Sequence, residues 1–372
     1  MKHFRGVANG IGRPMVCRID SPWVDRNDDF VASCTLPSRD SSLAQPVLLS
    51  TAINPHSAPT PNFQVARGYE LPRPGDIVLL EPQGKGTILY EIASNDNAVF
   101  LTGECNGNCV MCPQPPSNGH DSYGEMILDV IELMHPETKM LGITGGEPTL
   151  KWLELIRILN QCQKSIPSAT LQILTNGREL KDFSRVKELS TASDNDCFFS
   201  IPLYGDTDAL HDFHMGLPGS FWETLDGLYN LARIEAPVEL RVLITKVNYS
   251  RLVEIAEFIY RALPFVEQVA LMGLEPVGRA KENIHSLWVD AEQYSSQLVD
   301  AVRYFTRRGV GVSIFNHPLC VVPKPVRHFA RISISSWKRH YFDTCSTCAC
   351  QEQCGGVFAS AKDHFKEKVE AI

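Results

Sequence analysis

Short apolar runs separated by amphipathic stretches limit this chain's architecture more than any other feature in it. The runs at 98–102, 140–144, 171–175, 196–202, 238–245 and 266–272 read as strands. Helical periodicity fills the intervals, for example at 123–134, 151–162 and 252–262. Strands that alternate with helices predict a parallel sheet with right-handed crossovers, because each helix must carry the chain back before the next strand begins. In sheets of this kind functional groups gather at the C-terminal ends of the strands. The residues that follow each run are therefore the candidates for chemistry.

Three thiols occupy the first of those positions. Cys105-Asn106-Gly107-Asn108-Cys109-Val110-Met111-Cys112 follows the run at 98–102 directly. Thiolates this close can converge on one iron–sulfur cluster; a disulfide, a zinc site and inert buried thiols are the competitors. Met1-Lys2-His3-Phe4-Arg5 leads into no apolar stretch, so no secretory signal and no disulfide-forming compartment are expected. Structural zinc takes four ligands, and the run supplies three. Three is also one short for a cubane of four irons, which leaves one iron open to another ligand. After the second run stands Gly145-Gly146-Glu147-Pro148. Its glycines let the backbone approach a ligand closely and adopt positive φ, and Glu147 can accept a hydrogen bond from an ammonium group.

The 372 residues leave room for two or three domains, and 44% hydrophobic with 21% charged residues is ordinary for a globular protein. No apolar run reaches membrane-spanning length. A net charge of −8 without a basic stripe argues against nucleic acid as the partner. The chain divides into a β-rich module at 1–95, the strand–helix core at 96–309 and a cysteine-rich end at 310–372. In the first part, strand-like stretches at 76–80 and 86–90 are separated by turn residues, Pro72-Arg73-Pro74-Gly75 and Gln83-Gly84-Lys85-Gly86. Gly84-Lys85-Gly86 predicts a hairpin turn, since the spacing of a phosphate loop is absent. The last part opens with one more strand at 310–315. It then gathers Cys320 and the group Cys345, Cys348, Cys350 and Cys354, a C-x-x-C-x-x-x-x-x-C pattern with Cys350 inside it. Most of the twelve cysteines thus fall into two clusters, which reads as metal binding. Zinc competes at the second cluster, because four thiolates suit it. Cys17, Cys34, Cys162 and Cys197 read as solitary buried thiols.

The Cys105–Cys112 loop, with the Gly-Gly-Glu-Pro segment one helix later, resembles the radical S-adenosylmethionine (SAM) superfamily. The cysteine-rich end resembles the SPASM and twitch auxiliary-cluster domains of its peptide-modifying members. The resemblance implies an α/β fold: a partial (β/α)6 barrel with an N-terminal β-rich module and a C-terminal iron–sulfur domain. It implies a [4Fe–4S] cluster on Cys105, Cys109 and Cys112, with SAM on the open iron. Reductive cleavage of SAM then gives methionine and a 5′-deoxyadenosyl radical that abstracts hydrogen. By the same resemblance Gly145, Gly146, Glu147 and Pro148 contact the methionyl end of SAM, Ser200 bonds its ribose, Arg241 meets its carboxylate and Met111 lies near its adenine. Thr175 and Asn176, at the end of strand three, join this set or serve as satisfied core groups, as polar residues inside apolar strands must find partners. Cys320, Cys345, Cys348 and Cys354 are implied as the ligands of one auxiliary [4Fe–4S] cluster, with Cys350 spare. His211-Asp212-Phe213-His214 lacks a nucleophile partner and reads as structural or substrate-lining, and Met272 to Pro276 as lining the substrate end.

Two longer stretches narrow the resemblance. Leu101-Thr102-Gly103-Glu104 leading into Cys105, with Pro113-Gln114-Pro115-Pro116 after Cys112, is one; Cys354-Gly355-Gly356-Val357-Phe358-Ala359-Ser360 is the other. Both resemble the HxsC-type maturases of the His-Xaa-Ser repeat peptide system. That implies a ribosomally made precursor peptide, a second radical SAM protein (HxsB-like), a reductant such as flavodoxin or ferredoxin, and a cytoplasmic location. The competing expectations are a radical SAM maturase of another protein or of RNA, and a non-catalytic iron–sulfur or zinc scaffold.

Overall fold

The structure is a computed structural model that describes residues 2–20, 24–26, 29–40, 47–51, 61–116, 123–192 and 194–372. The β-rich start is a single sheet of β1 (His3–Asn9), β2 (Met15–Ile19), β3 (Val24–Arg26), β4 (Asp29–Thr35), β5 (Val47–Ser50), β6 (Asn62–Val65), β7 (Ile77–Leu80) and β8 (Lys85–Tyr90). Its order is β2-β7-β8-β1-β6-β5-β4-β3, and β2 also pairs with β4, so all but β3 close into a ring. Closure removes the exposed edges that an open sheet would leave. Phe4, Ile19, Leu49, Phe63 and Leu80 fill the ring's core, with Phe4 edge-on to Phe63 at 5.6 Å. The hairpin expected at Gly84-Lys85-Gly86 joins β7 to β8. Gly84 takes φ +77°, and a Cβ there would stand 2.1 Å from the carbonyl oxygen of Gly6.

The central sheet is parallel throughout: β9 (Ala98–Phe100), β10 (Met140–Thr144), β11 (Thr170–Leu174), β12 (Cys197–Pro202), β13 (Val238–Leu243), β14 (Gln268–Met272) and β15 (Gly311–Phe315). Its order follows the chain, and β9 and β15 are its edges. The strand expected to open the third part is thus a seventh strand of this sheet, paired in register from Gln268 and Gly311 to Met272 and Phe315. The edge of β14 needed a partner, and 311–315 supplies it. Helices α1 (Gly124–Leu133), α2 (Trp152–Ser165), α3 (Phe183–Ala192), α4 (Asp208–Met215), α5 (Ser220–Ala232) and α6 (Leu252–Ala262) lie between the strands. Then follow two single turns, α7 (Arg279–Glu282) and α8 (Ile284–Leu287), and α9 (Ser295–Thr306) before β15.

Burial alternates along the strands. Val238, Leu240 and Val242 of β13 are buried with helix residues such as Leu228, Ile255 and Ile259 in one continuous core. Glu239, Arg241 and Leu243, which point the other way, are only half-buried. The polar residues therefore collect on the sheet face away from the helices. The ring module docks on α1: Arg39 pairs with Asp129 and Glu125, and the Ser38 amide donates to Glu132 at 2.8 Å. Beyond β15 the chain forms a small hairpin, β16 (Arg339–His340) with β17 (Val357–Phe358), and the turn α10 (Lys362–Phe365). Lys338 pairs with Glu275 at 2.9 Å and ties this end to the loop after β14. Among the described residues no helix is long and apolar enough to cross a membrane.

Candidate functional site

The loop that carries Cys105, Cys109 and Cys112 has no helix or strand of its own, and four other segments hold its backbone. From the Gly-Gly-Glu-Pro segment, the Gly146 amide donates to the Thr102 carbonyl and the Glu147 amide to the Glu104 carbonyl, both at 2.7 Å. From the end of α4, the carbonyls of Met215 and His214 accept from Asn108 and Val110, both at 3.0 Å. From α7, the Arg279 amide donates to the Cys112 carbonyl at 3.0 Å, and just beyond it the Asn283 side chain donates to the Val110 carbonyl at 2.8 Å. From the end of β11, the Asn176 side chain donates to Asn106 at 2.7 Å, and Arg178 donates to the Asn106 carbonyl.

Glycine serves these clamps by being small. A Cβ at Gly146 would lie 2.2 Å from the Glu104 carbonyl oxygen, and one at Gly145 would lie 2.7 Å from that of Thr102. Neither residue takes positive φ. The expected left-handed backbone is therefore corrected: close packing of one backbone on another requires these two glycines. Gly278 differs, since it takes φ +55° and a Cβ there would stand 2.6 Å from the Cys112 carbonyl oxygen.

Two of the thiols flank Gly107. A Cβ on that residue would sit 3.6 Å from Cys105 Sγ and 3.7 Å from Cys109 Sγ, and its amide donates to Cys105 Sγ at 3.3 Å. Cys109 donates to Met215 Sδ at 3.6 Å, and Cys112 to the Gln114 carbonyl at 3.0 Å. Burial pushes all three thiols up, Cys109 to about 12, where the charges of Cys105 and Cys112 add to the effect. Metal ligation at such a site must displace protons. Among the described residues, no three His, Cys, Asp or Glu side chains close on one point as a single metal ion would require.

Glu147 is buried, and its carboxylate is already supplied with donors. One oxygen accepts from the Thr149 amide and hydroxyl and from the Thr175 hydroxyl at 2.6 Å; the other accepts from the Asn176 amide at 2.7 Å. Burial raises its carboxyl, and these bonds oppose the rise. Pro148 begins the 3-10 turn Pro148–Lys151 that Glu147 caps. Glu147, Thr175 and Asn176 thus form one brace between the ends of β10 and β11. Met111 is packed with Leu274, Ala280 and Leu287, with Tyr204 beside it. His211 and His214 are fully buried. His214 bonds the Leu210 carbonyl at 2.7 Å and Thr245 at 2.8 Å, and Nδ1 of His211 accepts from the Tyr204 amide at 3.3 Å. Both rings lie inside the protein, and Nε2 of His211 has no partner among the described residues.

Ser200 and Arg241 meet on the sheet face away from the helices, and Glu239 joins them, accepting from Ser200 at 3.0 Å and from Arg241 at 2.9 Å. Sequence reasoning passed over Glu239, although its period-two spacing from Arg241 places both on one face. It also passed over Tyr204, just beyond β12. Burial raises the Tyr204 phenol, and the neighbouring Cys109, Cys112 and Cys105 add to the rise. Met215, Gly278, Arg279 and Asn283 are further residues of the site that no local pattern marks.

At the other end of the chain, Cys320, Cys345, Cys348 and Cys354 line one cavity together with Leu319, Tyr341 and Ile372; Cys350 is not among its lining residues. Backbone amides point at the sulfurs: Leu319 and Gly356 donate to Cys354 at 3.3 and 3.4 Å, and Ile372 donates to Cys348 at 3.5 Å. Residues 369–372 thus form one wall of the cavity, which no motif announced. The solitary thiols are neighbours in space: the free thiols of Cys34 and Cys17 share a hydrogen bond in the ring core, and Cys162 lies near Cys197.

Comparison with known proteins bears on the three-thiol site. Residues 99–259 match the family model of the radical SAM superfamily. The chain therefore carries a radical SAM superfamily domain, and that family implies a [4Fe–4S] cluster and SAM. Among solved structures, anSMEcpe with bound AdoMet shares the fold at 14% identity and a TM-score of 0.51, covering 74% of this chain and 88% of that one. Streptococcus suis SuiB bound to S-adenosylmethionine is 15% identical, with a TM-score of 0.46 over 61% of this chain and 48% of that one. A radical SAM methyltransferase from Sphaerobacter thermophilus is 12% identical, with a TM-score of 0.46 over 81% and 77%. For anSMEcpe with bound AdoMet and a peptide, the match spans 63% of that chain, less than two thirds of its length, at 15% identity and a TM-score of 0.47 over 58% of this one. No curated protein matches the chain.

Proposed function

We propose that the radical SAM domain of this chain modifies a ribosomally made peptide of the His-Xaa-Ser repeat type, starting from abstraction of a hydrogen atom. The observation that carries the chemistry is the three-thiol loop. Cys105 and Cys109 stand beside Gly107, and the backbone that carries all three thiols is held by hydrogen bonds from four other segments. That donor set fits a cubane gripped at three corners, and thiolate is the ligand such clusters take. When bound, the cluster supplies one electron to SAM, whose cleavage yields methionine and the 5′-deoxyadenosyl radical.

The chain's own residues do the rest. Cys105, Cys109 and Cys112 hold the cluster, and the 145–148 segment fixes their loop. Ser200 and Arg241 offer polar contacts to SAM on the sheet face beside the loop, and Thr175 and Asn176 hold Glu147 in place. Cys320, Cys345, Cys348 and Cys354 hold a second, auxiliary cluster, with sulfurs that accept backbone N–H groups. The sheet with its helices is read as the partial barrel that encloses the reaction and keeps water from it.

The peptide substrate is supported by fold analogy and by the cysteine-rich end. It brings with it a reductant such as flavodoxin or ferredoxin and a second radical SAM protein as partners. Anaerobic reconstitution with iron and sulfide tests the reading. About eight irons per chain, with reductant-dependent 5′-deoxyadenosine formed from SAM, supports it. Zinc in both sites and no SAM cleavage leaves a scaffold instead. A precursor peptide rich in His-Xaa-Ser repeats that gains no mass change under turnover removes the peptide assignment while leaving the enzyme.

A further inference from the structure

Gln172, Ser200, Glu239 and Arg241 lie on three adjacent strands, and the register brings them together: Ser200 pairs with Glu239 and Pro202 with Arg241. A directed chain of hydrogen bonds links the four. Gln172 Nε2 donates to Ser200 Oγ at 2.8 Å, and Ser200 donates to Glu239 Oε1 at 3.0 Å. Arg241 Nε donates to the same Oε1 at 2.9 Å. One carboxylate oxygen therefore fixes two neighbours.

The donor and acceptor inventory says what remains for a ligand. Ser200 has one proton and two lone pairs. The proton goes to Glu239 and one lone pair to Gln172, so the hydroxyl is left as an acceptor, suited to a ligand O–H. Arg241 has five N–H donors in a planar fork. Glu239 takes the Nε edge, and among the described residues no side chain takes the Nη edge. A guanidinium held by one edge presents the other in a fixed direction, which is the geometry for bidentate capture of a carboxylate. The Arg241 side chain is 25% exposed, and that of Glu239 is 12% exposed. The pair is thus partly withdrawn from water but still reachable.

We infer that Glu239 is a positioning residue for SAM: its Oε1 aims the Nη edge of Arg241 at the methionyl carboxylate and turns Ser200 into a ribose acceptor. This rests on the reading above that SAM lies against this face. The inference makes a prediction about geometry as distinct from charge. Glu239→Gln keeps an acceptor oxygen in place and loses the charge. Glu239→Asp keeps the charge and withdraws the oxygen by one methylene. Glu239→Ala removes both.

Equilibrium dialysis of SAM against the anaerobically reconstituted protein separates these effects, with decarboxylated SAM as the companion ligand. Losing a hydrogen bond that orients a charged group is expected to weaken SAM binding about tenfold in Glu239→Ala and Glu239→Asp. Glu239→Gln should stay near wild type. Decarboxylated SAM keeps the ribose, so Glu239→Ala should weaken it only through Ser200 and by less than it weakens SAM; Glu239→Ala combined with Arg241→Ala should fall below Arg241→Ala alone by no more than that remainder. If Arg241→Ala weakens SAM binding and neither Glu239→Ala nor Glu239→Asp does, the positioning role is overturned. If Arg241→Ala leaves SAM binding unchanged, the placement of SAM against Arg241 is itself overturned, and the role of Glu239 with it. Should Glu239→Ala fail to fold, the Asp and Gln variants still decide between the outcomes.

Discussion

A methyl group added at Gly146 tests whether the cysteine loop takes its shape from the segment beneath it. The new Cβ would stand 2.2 Å from the Glu104 carbonyl oxygen, 2.7 Å from its carbon and 3.0 Å from the Gly103 carbonyl oxygen. All three neighbours are backbone, so no side-chain rotation relieves the overlap. Ordinary contact begins near 3.4 Å, and the two backbones must part by roughly 1 Å. The amide bonds from Gly146 to Thr102 and from Glu147 to Glu104, each 2.7 Å, stretch beyond hydrogen-bonding range. Overpacking of this kind costs about 1–3 kcal/mol, and each lost backbone bond about 1 kcal/mol. The sum, roughly 3–5 kcal/mol, falls on one loop and not on the whole core. Hydrogen exchange on the metal-free Gly146→Ala protein should show the Glu147 amide exchanging at least about a hundredfold faster. After reconstitution, iron at the three-thiol site should fall while iron at the four-thiol cavity stays. Gly12→Ala is the control, since a Cβ there meets nothing within 4 Å and the residue has no positive φ. Wild-type protection of Glu147 together with full iron in Gly146→Ala would refute the reasoning.

Two further expectations follow from burial. Cys320→Ser should lower the iron held by the C-terminal cavity, whereas Cys350→Ser should leave it unchanged, because Cys350 does not line that cavity; iron per chain after reconstitution decides this. His211 and His317 are both pushed down to about 4 by burial, from an ordinary 6.5. Above pH 6.5 both are neutral whether folded or not. Between pH 6.5 and 4 the unfolded chain binds protons that the fold refuses, so stability falls with pH by about 3 kcal/mol for each histidine. Asp129, raised to about 6 by burial, acts in the opposite sense, as do Glu147 and Asp76, which burial also raises, whereas His3, His214 and His364, lowered by burial, act with the two histidines. Urea midpoints should decline from pH 6.5 to 4.5, and a flat profile would contradict the burial argument.

The local signals in the sequence carried far. The strand–helix alternation, the 105–112 spacing and the Gly-Gly-Glu-Pro turn each depend on residues within one window, and each stands where it was expected. What escaped depends on distance along the chain. Gly278 and Arg279 clamp the Cys112 carbonyl from a loop after β14, and nothing in their neighbourhood announces it. Glu147 meets Thr175 and Asn176 across β10 and β11, so its carboxylate is answered from within the protein, which a turn motif alone does not reveal. Closure of the N-terminal ring rests on the pairing of β2 with β4, a matter of topology. The strand at 311–315 was legible as a strand; which sheet it joins depended on the free edge of β14.

The three-thiol loop has no core and no regular hydrogen-bond ladder of its own, so its conformational entropy must be offset by contacts from elsewhere. Those contacts are backbone bonds from the ends of β10 and α4 and from α7, and a side-chain bond from the end of β11, all arriving within the span 102–112. The shape of this loop is therefore set by the ends of β10, β11 and α4 and by α7, as well as by the spacing of its three cysteines. Gly216 belongs with the residues that shape this loop. It takes φ +61°, and a Cβ there would stand 2.2 Å from the Asn108 carbonyl oxygen, within the loop between two of the thiols. A substitution at Gly216 removes no thiol, yet it displaces the span that sets the distance from Cys105 to Cys109, so under the proposed function iron retained at this site after reconstitution should fall in Gly216→Ala although all three cysteines remain.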